Sequence, residues 1–112
     1  ISHANFEGAN LSNLKLYDSD LSGGLLNKVN LTDSNLVACN LNDSELCDAD
    51  LTDTQLTGSN LSDILLRNSN LNGANLSYSN LSCADLSNSD LNGADLSNCN
   101  LINLKLNCIF VN

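Results

Sequence analysis

The sequence predicts an all-β solenoid that turns once in every five residues, and three observations predict it. Every fifth residue from Leu11 to Leu106 is leucine, twenty in succession, with Ile1, Phe6 and Val111 extending the column at its ends. Two places before these, from Ala4 to Ile109, the side chain is that of Ala, Ser, Gly, Cys or Thr in all repeats but five, and one place before them it is mostly that of Asn or Asp. A period of five fits neither the roughly 3.6 residues of an α-helical turn nor the alternation of a long strand, so the chain must turn within each repeat to return leucine to the same side.

With leucine at position i, local alternation places i and the small side chain at i−2 on the inward face, while i−1, i+1 and i+2 face out. Five of the six glycines, Gly8, Gly23, Gly58, Gly73 and Gly93, fall at i+2, where Asn13, Asn68, Asn88, Asn98 and Asn103 also fall. These are the residue types that best tolerate positive φ, so the corners are expected there.

Composition agrees with a narrow core. The chain has 112 residues, the size of one domain, and is 42% hydrophobic. That content is mostly Leu and Ala, with Phe6, Phe110, Tyr17 and Tyr78 as the aromatics and neither Trp nor Met. The formal net charge is −9 and only Lys15, Lys28, Arg67 and Lys105 are basic, which argues against direct binding to a nucleic-acid backbone. Cys39, Cys47, Cys83, Cys99 and Cys108 are an odd set without C-x-x-C spacing, and are read as reduced thiols in a reducing compartment. No apolar run is long enough to span a bilayer and no tripartite signal peptide is visible, so membrane insertion is not expected. The chain opens at Ile1, without Met and already in register, so residues 1–112 are expected to be one β-helical domain belonging to a longer protein.

The unit Ala-(Asp/Asn)-Leu-x-x, seen in Ala9-Asn10-Leu11, Ala49-Asp50-Leu51, Ala74-Asn75-Leu76, Ala84-Asp85-Leu86 and Ala94-Asp95-Leu96, resembles the pentapeptide-repeat family over the whole chain. The resemblance implies a right-handed quadrilateral parallel β-helix in which four repeats make one square coil, so that residues twenty apart stack. About five and a half coils at about 4.8 Å each give a rod on the order of 27 Å long. Four leucines already crowd each coil, so the larger side chains found at i−2, those of Leu14, Val29, Ile64, Leu104 and Ile109, are expected to bulge or widen theirs.

Catalysis needs convergent polar groups in a concavity, and a continuous convex rod offers little. His3 is the only histidine and lies at the start of the chain, where it reads as an exposed turn residue and not as a ligand or base. Cys39 and Cys99 share an inward column but sit three coils apart, too far for a disulfide, and read as core fillers. Cys47, Cys83 and Cys108 face outward without a basic neighbour in sequence to activate them. Glycine marks corners here, not a phosphate cradle, and the outward Ser and Asn lack the regular Thr ranks of an ice-binding ladder. No catalytic residue, cofactor or metal site is expected.

Two surface features stand out under twenty-residue stacking. Asp33, Asp43, Asp48, Asp53 and Asp63, with Glu45 and Asp50, form an acidic stretch free of Lys and Arg, with Asp33 under Asp53 and Asp43 under Asp63. These read first as turn residues and second as an acidic patch. In one i−1 column, Leu25, Glu45, Leu65 and Lys105 break the Asn/Asp rule, flanked by Lys28 and Arg67, which makes that face the candidate interaction surface. The apolar last segment, Ile102, Leu104, Leu106, Ile109, Phe110 and Val111, is a second candidate, for dimerisation or domain docking.

These readings converge on a non-catalytic protein-interaction scaffold with a protein partner. The resemblance implies two settings for it. One is the β-helical module of a larger bacterial protein such as a secreted effector, in the bacterial cytoplasm or inside a host cell. The alternative is a DNA mimic that binds type II topoisomerase, as quinolone-resistance members of the family do, although Leu replaces the Phe those members favour at the centre.

Overall fold

In a computed structural model, described for residues 1–107, the chain winds as a right-handed quadrilateral β-helix of a little over five coils, 31 × 21 × 18 Å. Each position i−1 forms an isolated parallel bridge with its equivalent in the next coil, from Asn5–Leu25 to Asp85–Lys105, seventeen bridges in four columns. The register of twenty is therefore continuous along the rod.

Three backbone bonds per repeat build the ladder. The amide at position i donates forward to a carbonyl of the next coil, as in Leu26 N–H to Glu45 O at 2.7 Å, and the amide at i+2 does the same, as in Lys28 N–H to Cys47 O at 2.9 Å. The amide at i−1 donates backward to the preceding coil, as in Asn30 N–H to Ala9 O at 2.9 Å. Most repeats close their corner with a bond from the amide at i−2 to the carbonyl of the preceding leucine, as in Ala74 N–H to Leu71 O at 3.0 Å. Every position i+2 from His3 to Asn103 has φ between 55° and 72°, which gives the corners type II character. Thus the sequence signal at i+2 holds in every repeat among the described residues, including those where the side chain is neither Gly nor Asn.

The core is a stack of leucines, with Leu36, Leu41, Leu46, Leu56, Leu61 and Leu66 wholly buried. The side chains at i−2 fill the space between them. Their hydroxyls and thiols are paired: Ser59 and Ser79 donate to Leu36 O and Leu56 O, each at 2.8 Å, and Cys39 and Cys99 donate to Leu16 O and Leu76 O, each at 2.9 Å. Burial pushes both thiols above the usual cysteine range, which makes them inert fillers.

The bulges expected of the large inward side chains are absent at Val29 and Ile64, whose coils keep their ladder bonds: Asp50 N–H to Val29 O at 3.0 Å and Asp85 N–H to Ile64 O at 2.9 Å. The reason lies in the stacking direction. Val29 is sandwiched between Ala9 and Ala49 in its column, and Ile64 between Ser44 and Ala84, so the extra volume enters the space above and below instead of spreading the coil. Leu14 and Leu104 belong to the terminal coils; Leu14 stays 42% exposed with its ladder bond to Asn35 intact, and Leu104 packs partly against the core. Ile109 lies outside the described residues. At Gly24 a side chain would collide with Leu21 O at 2.9 Å, so that corner admits nothing larger.

Candidate interaction surface

The outward i−1 column carries a bond that explains its composition. In all fifteen repeats with Asn or Asp at i−1, from Asn5 to Asn100, the side-chain Oδ1 accepts from the backbone N–H at i+1, two residues on, at 2.9 to 3.3 Å. This Asx bond captures the one amide per repeat that neither the ladder nor the corner uses. Where i+1 is Ser or Thr, its hydroxyl commonly donates to the same oxygen, as Ser22 does to Asp20 at 2.6 Å. The Ser22 hydroxyl and amide hold the Asp20 carboxyl below the ordinary carboxylate range, and those of Ser97 do the same for Asp95.

Against that rule, Leu25, Glu45, Leu65 and Lys105 are exceptions in one column, and the bridges Asn5–Leu25–Glu45–Leu65–Asp85–Lys105 align them on one face. Leu25 is 38% exposed and Leu65 half-buried. Without Asn or Asp before them, the amides of Asn27 and Arg67 donate no such bond among the described residues. Cys47 is treated differently: Asn27 Oδ1 in the coil below accepts from its amide at 2.8 Å, while Asn27 Nδ2 donates to Glu45 Oε2 at 3.0 Å. Arg67 Nε lies 3.8 Å from Asp85 Oδ2 across the next coil. Burial raises the Asp85 carboxyl, but the Ser87 hydroxyl and amide, with Arg67 and Lys105, more than reverse this and leave it below the usual range. Lys28 is exposed at the adjoining corner.

The acidic residues do not form one patch. Asp33 and Asp53 stack on one corner, Asp43 and Asp63 on the diagonally opposite one, and Asp48 sits on the corner between, in the same column as Lys28. The reason is register: residues ten apart lie half a coil from each other, so a cluster in sequence is spread around the rod. All five occupy the positive-φ position, which Asp tolerates better than most residues, and turn chemistry accounts for their placement. Among the described residues there is no cavity and no group of three His, Cys, Asp or Glu side chains that would hold a metal ion. No described helix is long and apolar enough to cross a membrane. His3 is exposed, with its ring over Gly23. Cys83 is exposed, Cys47 is half-buried, and Cys108, Phe110 and Val111 lie outside the described residues.

The model of the pentapeptide repeat region matches residues 1–76, and a second model, of eight copies of the pentapeptide repeat, matches residues 79–109. The chain belongs to the pentapeptide-repeat family. Among solved structures, a pentapeptide-repeat protein (Rfr23) from the cyanobacterium Cyanothece 51142 is 25% identical over 99% of this chain and 90% of its own, with a TM-score of 0.94. A pentapeptide-repeat protein of the Arabidopsis thaliana thylakoid lumen is 26% identical over 84% of this chain and 66% of its own, with a TM-score of 0.81. QnrB1, a plasmid-mediated fluoroquinolone resistance protein, is 17% identical over 99% of this chain and 79% of its own at a TM-score of 0.48, too distant to carry an argument. No curated protein sequence matches. Pentapeptide-repeat proteins are generally structural or interaction modules without enzymatic activity.

Two features of this pentapeptide-repeat surface escape a reading by column alone. The Asx bond was accessible as Asn/Asp followed two residues later by Ser or Thr, a pairing that recurs from Asn10–Ser12 to Asp95–Ser97. The distribution of charge around the rod needed all four columns laid side by side. The corner formed by Val37–Ala38, Thr57–Gly58 and Ser77–Tyr78 carries a single charge, that of Asp18 in the first coil, fewer than any of the other three.

Proposed function

We propose that this chain is a non-catalytic protein-interaction scaffold whose partner binds the column Leu25, Glu45, Leu65 and Lys105 with Lys28 and Arg67 beside it. The observation that carries the reading is the pair of outward leucines at positions where Asn or Asp would lock the next corner. Leu25 and Leu65 forgo a hydrogen bond that fifteen other repeats make, and they expose apolar surface in its place. A local loss of stability at an exposed site is accounted for when a partner covers the leucines and supplies acceptors to the free amides of Asn27 and Arg67.

The DNA-mimic alternative has less support. A duplex-like surface needs negative charge running along the rod, and here the corner aspartates divide over all four corners, with Lys28, Arg67 and Lys105 among them.

The test is the double variant Leu25→Asn/Leu65→Asn, which restores the Asx bond. It should unfold at higher denaturant than the wild type and lose any partner recovered by affinity capture. A variant that is more stable and still captures the same partner, or that captures a topoisomerase sensitive to Asp43→Asn/Asp63→Asn, removes this face from consideration.

A further inference from the structure

The face of Leu25 and Leu65 repeats every two coils, a period that the five-residue unit does not contain. Along the column Asn5, Leu25, Glu45, Leu65, Asp85 and Lys105, the amide two residues on is closed in alternate coils. Glu7 N–H donates to Asn5 Oδ1 at 3.0 Å, Cys47 N–H to Asn27 Oδ1 at 2.8 Å and Ser87 N–H to Asp85 Oδ1 at 3.0 Å. In the coils between these, the amides of Asn27 and Arg67 donate to no described residue.

Charge alternates in step. The closed coils carry acids on this side, Glu7, then Glu45 and Asp48, then Asp85, and the coils between carry the bases Lys28, Arg67 and Lys105. Attraction between neighbouring coils accounts for part of this, since Arg67 Nε lies 3.8 Å from Asp85 Oδ2, but Lys28 and Lys105 make no ion pair among the described residues. Nor does it explain leucine where Asn would close the amide, or why Asn27 reaches across a coil to close the one amide between the two open ones. The unmet groups are amide, leucine and base, and they recur together at two strand separations, about 9.6 Å.

That spacing selects the occupant. A polyproline II chain rises about 3.1 Å per residue with three residues per turn, so every third residue returns to one face after about 9.3 Å. It makes no internal hydrogen bonds, which leaves its carbonyls to accept from Asn27 and Arg67 N–H. A β-strand returns to one face after about 6.7 Å, out of step with two coils, and an α-helix uses its carbonyls internally. Charge then sets the side chains. The open amides adjoin the edge of Lys28 and Arg67, whereas the other edge of the column carries Asp43 and Asp63, so acidic side chains of the ligand are drawn to the first edge and repelled from the second. Asp48 stands between Lys28 and Arg67 at the height of a closed coil, which limits those acids to one per turn.

We infer that this face docks a polyproline-type peptide with an acidic residue at every third position, lying along the rod. Its carbonyls accept from Asn27 and Arg67 N–H, its apolar residues cover Leu25 and Leu65, and its carboxylates meet Lys28 and Arg67. The inference rests on the partner reading of this face and names the chemistry of that partner.

The experiment is calorimetric titration of the chain with an end-blocked peptide of four Pro-Pro-Glu repeats. The controls are a peptide of the same composition with its glutamates grouped at one end, and one of four Pro-Pro-Lys repeats. The spaced acidic peptide should bind with a Kd on the order of 100 µM, at least tenfold tighter than either control, and severalfold more weakly at high salt. Leu25→Asn/Leu65→Asn, which closes both amides in a chain that folds, should weaken binding tenfold or more, and Lys28→Gln/Arg67→Gln severalfold. A peptide that binds equally well with its glutamates grouped, or equally well to the leucine variant, overturns the inference. If the spaced peptide does not bind while a captured partner is still lost with Leu25→Asn/Leu65→Asn, this inference falls and the partner reading stands.

Discussion

Asn27 locks a corner that belongs to Glu45: its Oδ1 accepts from the Cys47 amide at 2.8 Å, the bond that Asn or Asp at position 45 would make. Glu45 is one methylene longer than Asp and instead holds Asn27 in place through Oε2 at 3.0 Å. Asn27→Ala should therefore cost about 1 kcal/mol in urea denaturation. Adding Glu45→Asp should recover most of it by restoring the local bond, and a double variant no better than Asn27→Ala would show that the bond between coils has another role.

The buried Ser79 is a donor to Leu56 O at 2.8 Å and an acceptor from the Ser59 amide at 3.3 Å. In the same column, Cys39 and Cys99 serve as donors through sulfur. Ser79→Cys is expected to be nearly neutral and Ser79→Ala to cost about 1 kcal/mol by the same assay. Equal losses for both would mean that volume, and not the hydrogen bond, governs the column.

Stacking volume gives a third expectation. Ala84 lies between Ile64 and Leu104, so Ala84→Ile should overpack its column and cost about 1 to 3 kcal/mol. Leu61→Ala, which empties a fully buried site in the central stack, should cost about 2 to 5 kcal/mol. Midpoints from chemical denaturation at constant slope test both.

The depressed carboxyls of Asp20, Asp85 and Asp95 set an acid limb. Because their folded values lie below the unfolded one of about 3.9, the stabilisation is complete above that pH and is lost as pH falls through the folded values. Asp95→Asn keeps an oxygen for the Ser97 amide but cannot titrate. Melting temperature measured from pH 7 down to about 2 should fall less steeply for this variant below about pH 4, and a wild-type slope retained by the variant would contradict the assignment.

The fold was legible because one physical demand recurs in every repeat: Leu must return inward, and only a turn with positive φ at i+2 achieves that within each repeat. Tyr78, Cys83, Lys28 and Ala38 are poor sequence markers of such a turn, yet the neighbouring repeats impose it on them. The Leu25–Lys105 column was legible as an exception to a rule before the reason for the rule was known. The acidic stretch agrees with its first reading, as turn residues at positive φ, whereas the second, a single patch, overlooks that residues ten apart in sequence lie half a coil from each other on a four-cornered rod. The effect of Val29 and Ile64 was misjudged because crowding was assessed within a coil, whereas the relief comes from Ala9 and Ala49 or Ser44 and Ala84 in the coils on either side.

Every backbone ladder bond links one coil to the next, and none skips a coil. Each new coil thus closes a loop of one size, at one nearly constant entropic cost, however long the rod becomes. Assembly of such a chain is a zipping process with a uniform tooth. Its local stability is set by distance from an open end, so amide exchange should be slowest near Leu56 and Leu61 and quicken stepwise, coil by coil, towards both termini.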